Sequence, residues 1–226
     1  MEDNQVKSKK RVADHGEVFT NEREVNAMLD LVKQETERID SRFLEPACGN
    51  GNFLVEVLRR KLDVVKTRYK KVQLEYERYA VIAISSIYGI DLLIDNVEEC
   101  RDRLFQIFDK QYRKLYKNSI KSECLESIQF ILSKNIIQGN ALTLNKPDSE
   151  EPIVFAEWSA VNGSMIKRRD YTMSNLLEAE ASKNNMESSL FFNTYETDPA
   201  FLPKTVADYP LTHFLKLSSS QPKLSD

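Results

Sequence analysis

Histidine is nearly missing from this chain. His15 and His213 are all it has, which excludes a histidine-rich metal site. Cysteine is sparse as well: Cys48, Cys100 and Cys124 show no metal-ligand spacing, and so few fit a reducing cytoplasm, where the chain is expected to work. No apolar run is long enough to cross a membrane, and the opening MEDNQVKSKK has no apolar segment behind it, so neither a span nor a secretory signal is expected. Positive charge is not in excess. The net charge is −3, so no global basic field draws in nucleic acid, and DNA binding needs a local patch or a partner subunit. Glycine is the last scarcity: of six in 226 residues, Gly49 and Gly51 stand two apart.

What is present is an ordinary globular composition, 41% hydrophobic and 30% charged, in a length that suits one domain with or without an extension. Residues 1–14 read as a polar arm. A helix is expected from about Asn21, a natural N-cap, with Val25, Met28, Leu29 and Val32 at helical spacing. RFLEPA reads as a short strand stopped by Pro46, and GNFLVEVLRRKLDVV as a second helix. The charged stretch 65–79 continues as helix, and YAVIAISSIYGIDLL holds a buried helix and then a strand. Ile94 to about Tyr116 is long and amphipathic, and Ser122 to Leu132 is a shorter helix. NIIQGNAL and PIVFAEW are further strands. Strands separated by helices predict a doubly wound α/β fold, Rossmann-like, with a mostly parallel sheet and helices on both faces. Two regions are expected: 1–161 as the folded domain with its N-terminal arm, and 162–226 as an irregular, partly disordered extension.

The glycine pair falls between a strand and a helix, where an open parallel sheet binds its ligands. A bare backbone there allows a tight turn and close approach, though a helix-start loop can need a glycine for no other reason. A dinucleotide fingerprint wants a third glycine at position 54, which is Leu54, and an acid about twenty residues on. A P-loop is excluded because no Gly-Lys-Ser/Thr follows.

FLEPACGNGNF resembles the first motif of S-adenosylmethionine-dependent DNA methyltransferases that modify exocyclic amino groups, usually acidic-Pro-x-x-Gly-x-Gly-x-Phe. The resemblance implies that Glu45, Ala47, Gly49 and Gly51 shape the pocket for the methionine part of the cofactor. HGEVFTNEREV resembles the family's N-terminal segment and implies a cofactor role for Phe19 and Thr20, with Asn21 where proline is frequent. IYGIDLLIDN resembles the second-strand motif: Asp91 would hold the ribose hydroxyls and Leu92 would pack on adenine. IIQGNALTL resembles the third-strand motif, usually Gly-Asp-Ala, with Asn140 in place of the acid that meets the adenine amino group. Taken alone, Asp91 is more often a helix cap than a ribose ligand, and Asn140 before Ala141 can be simply a turn residue. The resemblance covers roughly residues 10–160. It is nearest to short methylase subunits of restriction systems, which share FAEW and an RRDY-like stretch.

Adenine methyltransferases of this kind also carry Asn/Asp-Pro-Pro-Tyr/Phe after the fourth strand, to hold the flipped base. This sequence has no such tetrapeptide. Glu157 and Trp158 stand where it should begin, and a carboxylate and an indole are chemically able to receive an amino group and stack on a base. A strand-end acid and a core tryptophan are the plain alternative. IKRRDY offers Lys167, Arg168 and Arg169 for phosphates, or simply a solvated charged face. The resemblance implies an S-adenosylmethionine-dependent DNA adenine methyltransferase, or the methylase subunit of a restriction–modification system, with DNA and a target-recognition subunit as partners. A cofactor-binding or structural subunit with no chemistry of its own, and a methyltransferase for another substrate, remain as alternatives.

Overall fold

The computed structural model describes residues 7–15, 17–177 and 204–222. It opens with helix α1 (Lys9–His15), where a polar arm was expected, and continues with α2 (Glu22–Leu31) and a single turn, α3 (Lys33–Thr36). Asn21 caps α2 as expected, its Oδ1 accepting the Glu24 N–H at 2.9 Å. Val25 and Leu29 are buried, whereas Met28 and Val32 stay exposed.

Strand β1 (Phe43–Glu45) ends at Pro46, and α4 (Asn52–Tyr69) follows the glycine loop. The charged stretch 65–79 is not one helix. It breaks after Tyr69, where the Val72 N–H closes a turn onto the Tyr69 carbonyl, and α5 (Gln73–Ser85) folds back so that Tyr69 and Tyr79 stack at 3.9 Å. Strand β2 (Ile87–Asp91), helix α6 (Ile94–Tyr116), helix α7 (Ser122–Asn135) and strand β3 (Ile136–Gln138) come next. Along α6 the buried side chains are Val97, Cys100, Leu104, Phe108 and Tyr112, one stripe at helical period.

The three strands form a parallel sheet in the order β1-β2-β3, with Glu45 beside Gly89 and Asp91 beside Gln138. Their carboxyl ends therefore share one edge. One face of β2, through Ile87 and Gly89, packs on the main helical core. The other, through Tyr88 and Ile90, meets Ile153 and Phe155.

Here the architecture departs from a doubly wound sheet. PIVFAEW does not extend the parallel sheet. It forms β4 (Val154–Ala160), which pairs antiparallel with β5 (Met165–Thr172), and β6 (Thr205–Asp208) and β7 (Thr212–His213) pair with β5 in turn. The reason lies in the connection. A parallel return needs a crossover, usually helical. The chain between β3 and β4 instead folds into a tight loop, held by bridges from Asn145 to Asn140 and Pro152, with left-handed Leu144 and Asp148. The region expected to be irregular, 162–226, contributes three of these strands and a 3-10 turn (Phe214–Ser219) whose Phe214 and Leu217 are buried. A boundary at 161 falls inside the β4–β5 hairpin. The disorder expected of the end, 218–226, meets the 3-10 turn at Ser218 and Ser219, while residues 178–203 and 223–226 lie outside the described residues. Among the described residues no helix is long and apolar enough to cross a membrane.

Candidate functional site

The loop from Pro46 to Gly51 crosses the carboxyl edge of the sheet. Its Cys48 N–H reaches the Ile90 carbonyl of β2 at 2.8 Å, and the Gly51 N–H closes back on the Cys48 carbonyl at 2.8 Å. Gly49 and Gly51 have φ of +52° and +87°, the left-handed region that side-chain-bearing residues avoid. A Cβ on Gly49 would lie 3.0 Å from the Phe19 ring, and one on Gly51 would lie 2.6 Å from Cys100 Sγ. Gly51 is thus required by its surroundings as well as by conformation, and Gly49 by conformation, with the Phe19 ring in tight contact. Leu54, where a dinucleotide site would have glycine, is accommodated from the other side: it packs into the space that Gly89 leaves open on β2.

Two carboxylates flank this loop. Asp91 accepts the Gly49 N–H on Oδ2 at 2.8 Å, and on Oδ1 the Leu93 N–H at 2.9 Å and Asn96 Nδ2 at 3.2 Å. It therefore fixes the turn that leads into α6 and also pins the glycine loop. A carboxylate has about four lone-pair sites. Oδ2 has one partner among the described residues, which leaves it able to accept a ligand hydroxyl. Glu45, at the end of β1, is half-buried. Burial raises its pKa, with the Ala47 N–H pulling the other way, and no cation pairs with it among the described residues. A desolvated carboxylate without a counterion is a place where an ammonium group gains most.

The remaining expected positions gather around these two. Phe19 lies on Gly49, and the Thr20 carbonyl accepts Asn52 Nδ2 at 3.0 Å, tying the N-terminal segment to α4. Leu92, just past the strand end, leaves 43% of its surface open. Asn140 follows Gly139, whose N–H bonds the Asp91 carbonyl at 2.9 Å. Its side-chain oxygen is engaged in its own turn, accepting Leu142 N–H at 2.9 Å and Thr143 N–H at 3.3 Å. A cavity of about 190 Å³ between Phe19, Asn52 and Arg103 lies on the α2 side of the loop; neither Glu45 nor Asp91 lines it, and it is small for a nucleoside.

A family model described as MmeI, DNA-methyltransferase domain, matches residues 16–156. The chain belongs to this DNA-methyltransferase domain family. No curated protein and no solved structure matches it. All nine positions expected around the cofactor lie inside the part matched to the MmeI domain, from Phe19 to Asn140, and the other five expected site residues lie beyond it.

Those five are placed differently from what the sequence led us to expect. Glu157 and Trp158 alternate on β4 and point to opposite faces. Glu157 accepts Arg42 Nη2 at 2.6 Å, and Arg42 precedes β1. Trp158 donates from Nε1 to Asn135 at 2.9 Å, and Asn135 immediately precedes β3. Both therefore sit at the amino ends of the parallel strands, away from Glu45 and Asp91. Trp158 is a buried core residue, edge-on to Phe130, and is not open to a base. The basic stretch is similarly spent. Arg168 is buried, forks onto Asp170 at 2.7 Å through two nitrogens, and stacks on Tyr209. Lys167 pairs with Asp208, and Arg169 lies between Glu157 and Asp208. They are not an outward phosphate-binding set, because strand alternation splits them and acids meet each one.

Sequence reasoning passed over Arg11, Glu17 and Asn96. Glu17 accepts Arg11 through both nitrogens Nε and Nη2, at 2.5 and 2.7 Å, and Asn96 Nδ2 at 2.7 Å. The available signal was Glu17 inside the quoted GEVFT segment. Asn96 carries no signal until α6 is known to begin at Ile94.

Proposed function

We propose that this chain binds S-adenosylmethionine at the carboxyl ends of β1 and β2 and serves as the cofactor-binding part of a DNA adenine methyltransferase in a restriction–modification system. One observation carries the reading: Glu45 and Asp91 stand at adjacent strand ends beside the Gly49–Gly51 loop, one desolvated and without a cation among the described residues, the other pre-oriented by backbone N–H groups. Such a pair suits a ligand with an ammonium group at one end and sugar hydroxyls at the other. In this reading Glu45 holds the ammonium by a charge-assisted bond, Asp91 the ribose, and Leu92 the adenine face, while Phe19 and Thr20 close the methionine end. Bound there, the cofactor would supply an electrophilic methyl group. The chain's own residues contribute position and charge, with no proton transfer asked of them. Three free cysteines support a cytoplasmic setting.

The distance of Glu157 and Trp158 from these carboxylates favours a second element of the reading: the base pocket and target recognition come from a partner. The net charge of −3 and the neutralised Lys167–Arg169 stretch agree with that. Transfer of a labelled methyl group to DNA is the test. The purified chain is expected to transfer none alone. Transfer by the chain alone would contradict the need for a partner, and transfer to protein or small molecules but not DNA would contradict the substrate.

A further inference from the structure

Behind Asp91 a buried polar chain leads to the N-terminal helix. The Asn96 side chain is 1% exposed and uses both its ends. Its Oδ1 accepts from Lys7 Nζ at 2.8 Å and Arg11 Nη2 at 3.2 Å, and its Nδ2 donates to Glu17 at 2.7 Å and Asp91 at 3.2 Å. Two cations lie on one side and two carboxylates on the other. A carboxamide, with an acceptor and a donor on one carbon, serves both at once; a carboxylate there would face two acids, and an apolar group would take away one hydrogen bond from each of four partners. Arg11 completes the unit by gripping Glu17 and by donating to Asp95 at 2.6 Å, at the first turn of α6. Glu17 stays ionised, held below the usual carboxylate range chiefly by Arg11 and also by Asn96 against the cost of its burial.

We propose that Asn96 is a positioning residue for the cofactor: it passes the docking of α1, through Arg11 and Glu17, to the Asp91 carboxylate, so that the N-terminal helix and the ribose bind cooperatively. The inference rests on Asp91 being the ribose-binding group. The Gly49 and Leu93 N–H groups hold Asp91, one on each oxygen, and Asn96 is the side chain that donates to it among the described residues. Losing that support leaves the carboxylate to the two N–H groups alone and loosens it, which raises the ordering cost of binding.

The test is calorimetric titration with S-adenosylhomocysteine and with its 2′,3′-dideoxyribose analogue. In wild type the ribose form should bind more tightly. Asn96→Ala should weaken the ribose form about three- to tenfold, the ordering cost of one side chain, and leave the dideoxy form within about twofold. Arg11→Ala, at the partly exposed end of the chain, should do the same to a smaller degree, and it decides the matter if Asn96→Ala does not fold. Equal losses for both ligands, or no loss, would overturn the proposal. Asp91→Ala separates the two levels. If it leaves the ribose preference intact, the ribose reading of Asp91 itself fails. If it abolishes the preference while Asn96→Ala and Arg11→Ala do not, only the positioning role fails.

Discussion

At Gly51 the chain is at φ +87°, and any Cβ would sit 2.6 Å from Cys100 Sγ on α6. Gly51→Ala meets strain and a clash together, so it should destabilise the fold by about 1–3 kcal/mol in urea titrations and distort the loop that Asp91 holds. An unchanged midpoint would contradict this placement. The placement of single residues of this kind was readable from sequence when they belonged to an ordered series: Gly49 and Gly51 lie in the loop after β1 and Asp91 ends β2, on the sheet edge where ligands bind for topological reasons. Glu157 and Trp158 were not readable, because their role depends on which way β4 runs. Asn140 shows the limit from the other side. Its turn geometry is what an Asn before a loop does locally, whatever else it meets.

At the scale of elements, α2 and α6 followed the sequence closely because a cap and a sustained period mark them. The direction of β4 did not, since strand pattern carries no direction. The difference lies in the connection: residues 139–153 contain no helix, through which a parallel return usually crosses, and fold into the loop held by Asn140, Asn145 and Pro152. This direction puts Trp158 against α7 and Phe130 instead of beside the glycine loop. Trp158→Ala should therefore cost about 3–5 kcal/mol of stability, as removal of a buried aromatic does, while cofactor affinity per folded molecule is unchanged. Affinity lost without stability would restore Trp158 to the site. The same alternation explains why Lys167, Arg168 and Arg169 fail as a patch, since neighbours on a strand face opposite ways.

For the whole molecule, the parallel sheet is anchored at its amino end by a buried lysine. Lys61 Nζ donates to the Ile39 carbonyl at 3.1 Å, to Ser86 Oγ at 2.6 Å and to the Ser41 carbonyl, with no carboxylate in contact among the described residues. Burial pulls its pKa down to about 7, against the pull of Asp40 and Glu35 and with that of Arg38. An unfolded lysine keeps its proton to about pH 10.4. Between about 7 and 10 the unfolded chain thus binds the extra proton, and stability rises with pH; below about 7 both states are protonated and this contribution is gone. Wild type should gain stability from pH 7 to pH 9 relative to Lys61→Met, as read by denaturant midpoints. Parallel pH profiles would contradict the lowered pKa.

The central claim is that the two carboxylates at the strand ends form a cofactor site. Its most direct test is calorimetric titration of S-adenosylmethionine into the chain and into Asp91→Ala. Saturable one-to-one binding, weakened about tenfold or more by the substitution, is the predicted result. No binding by the wild-type chain, or equal binding by both, would reduce the Gly49–Gly51 loop to scaffold.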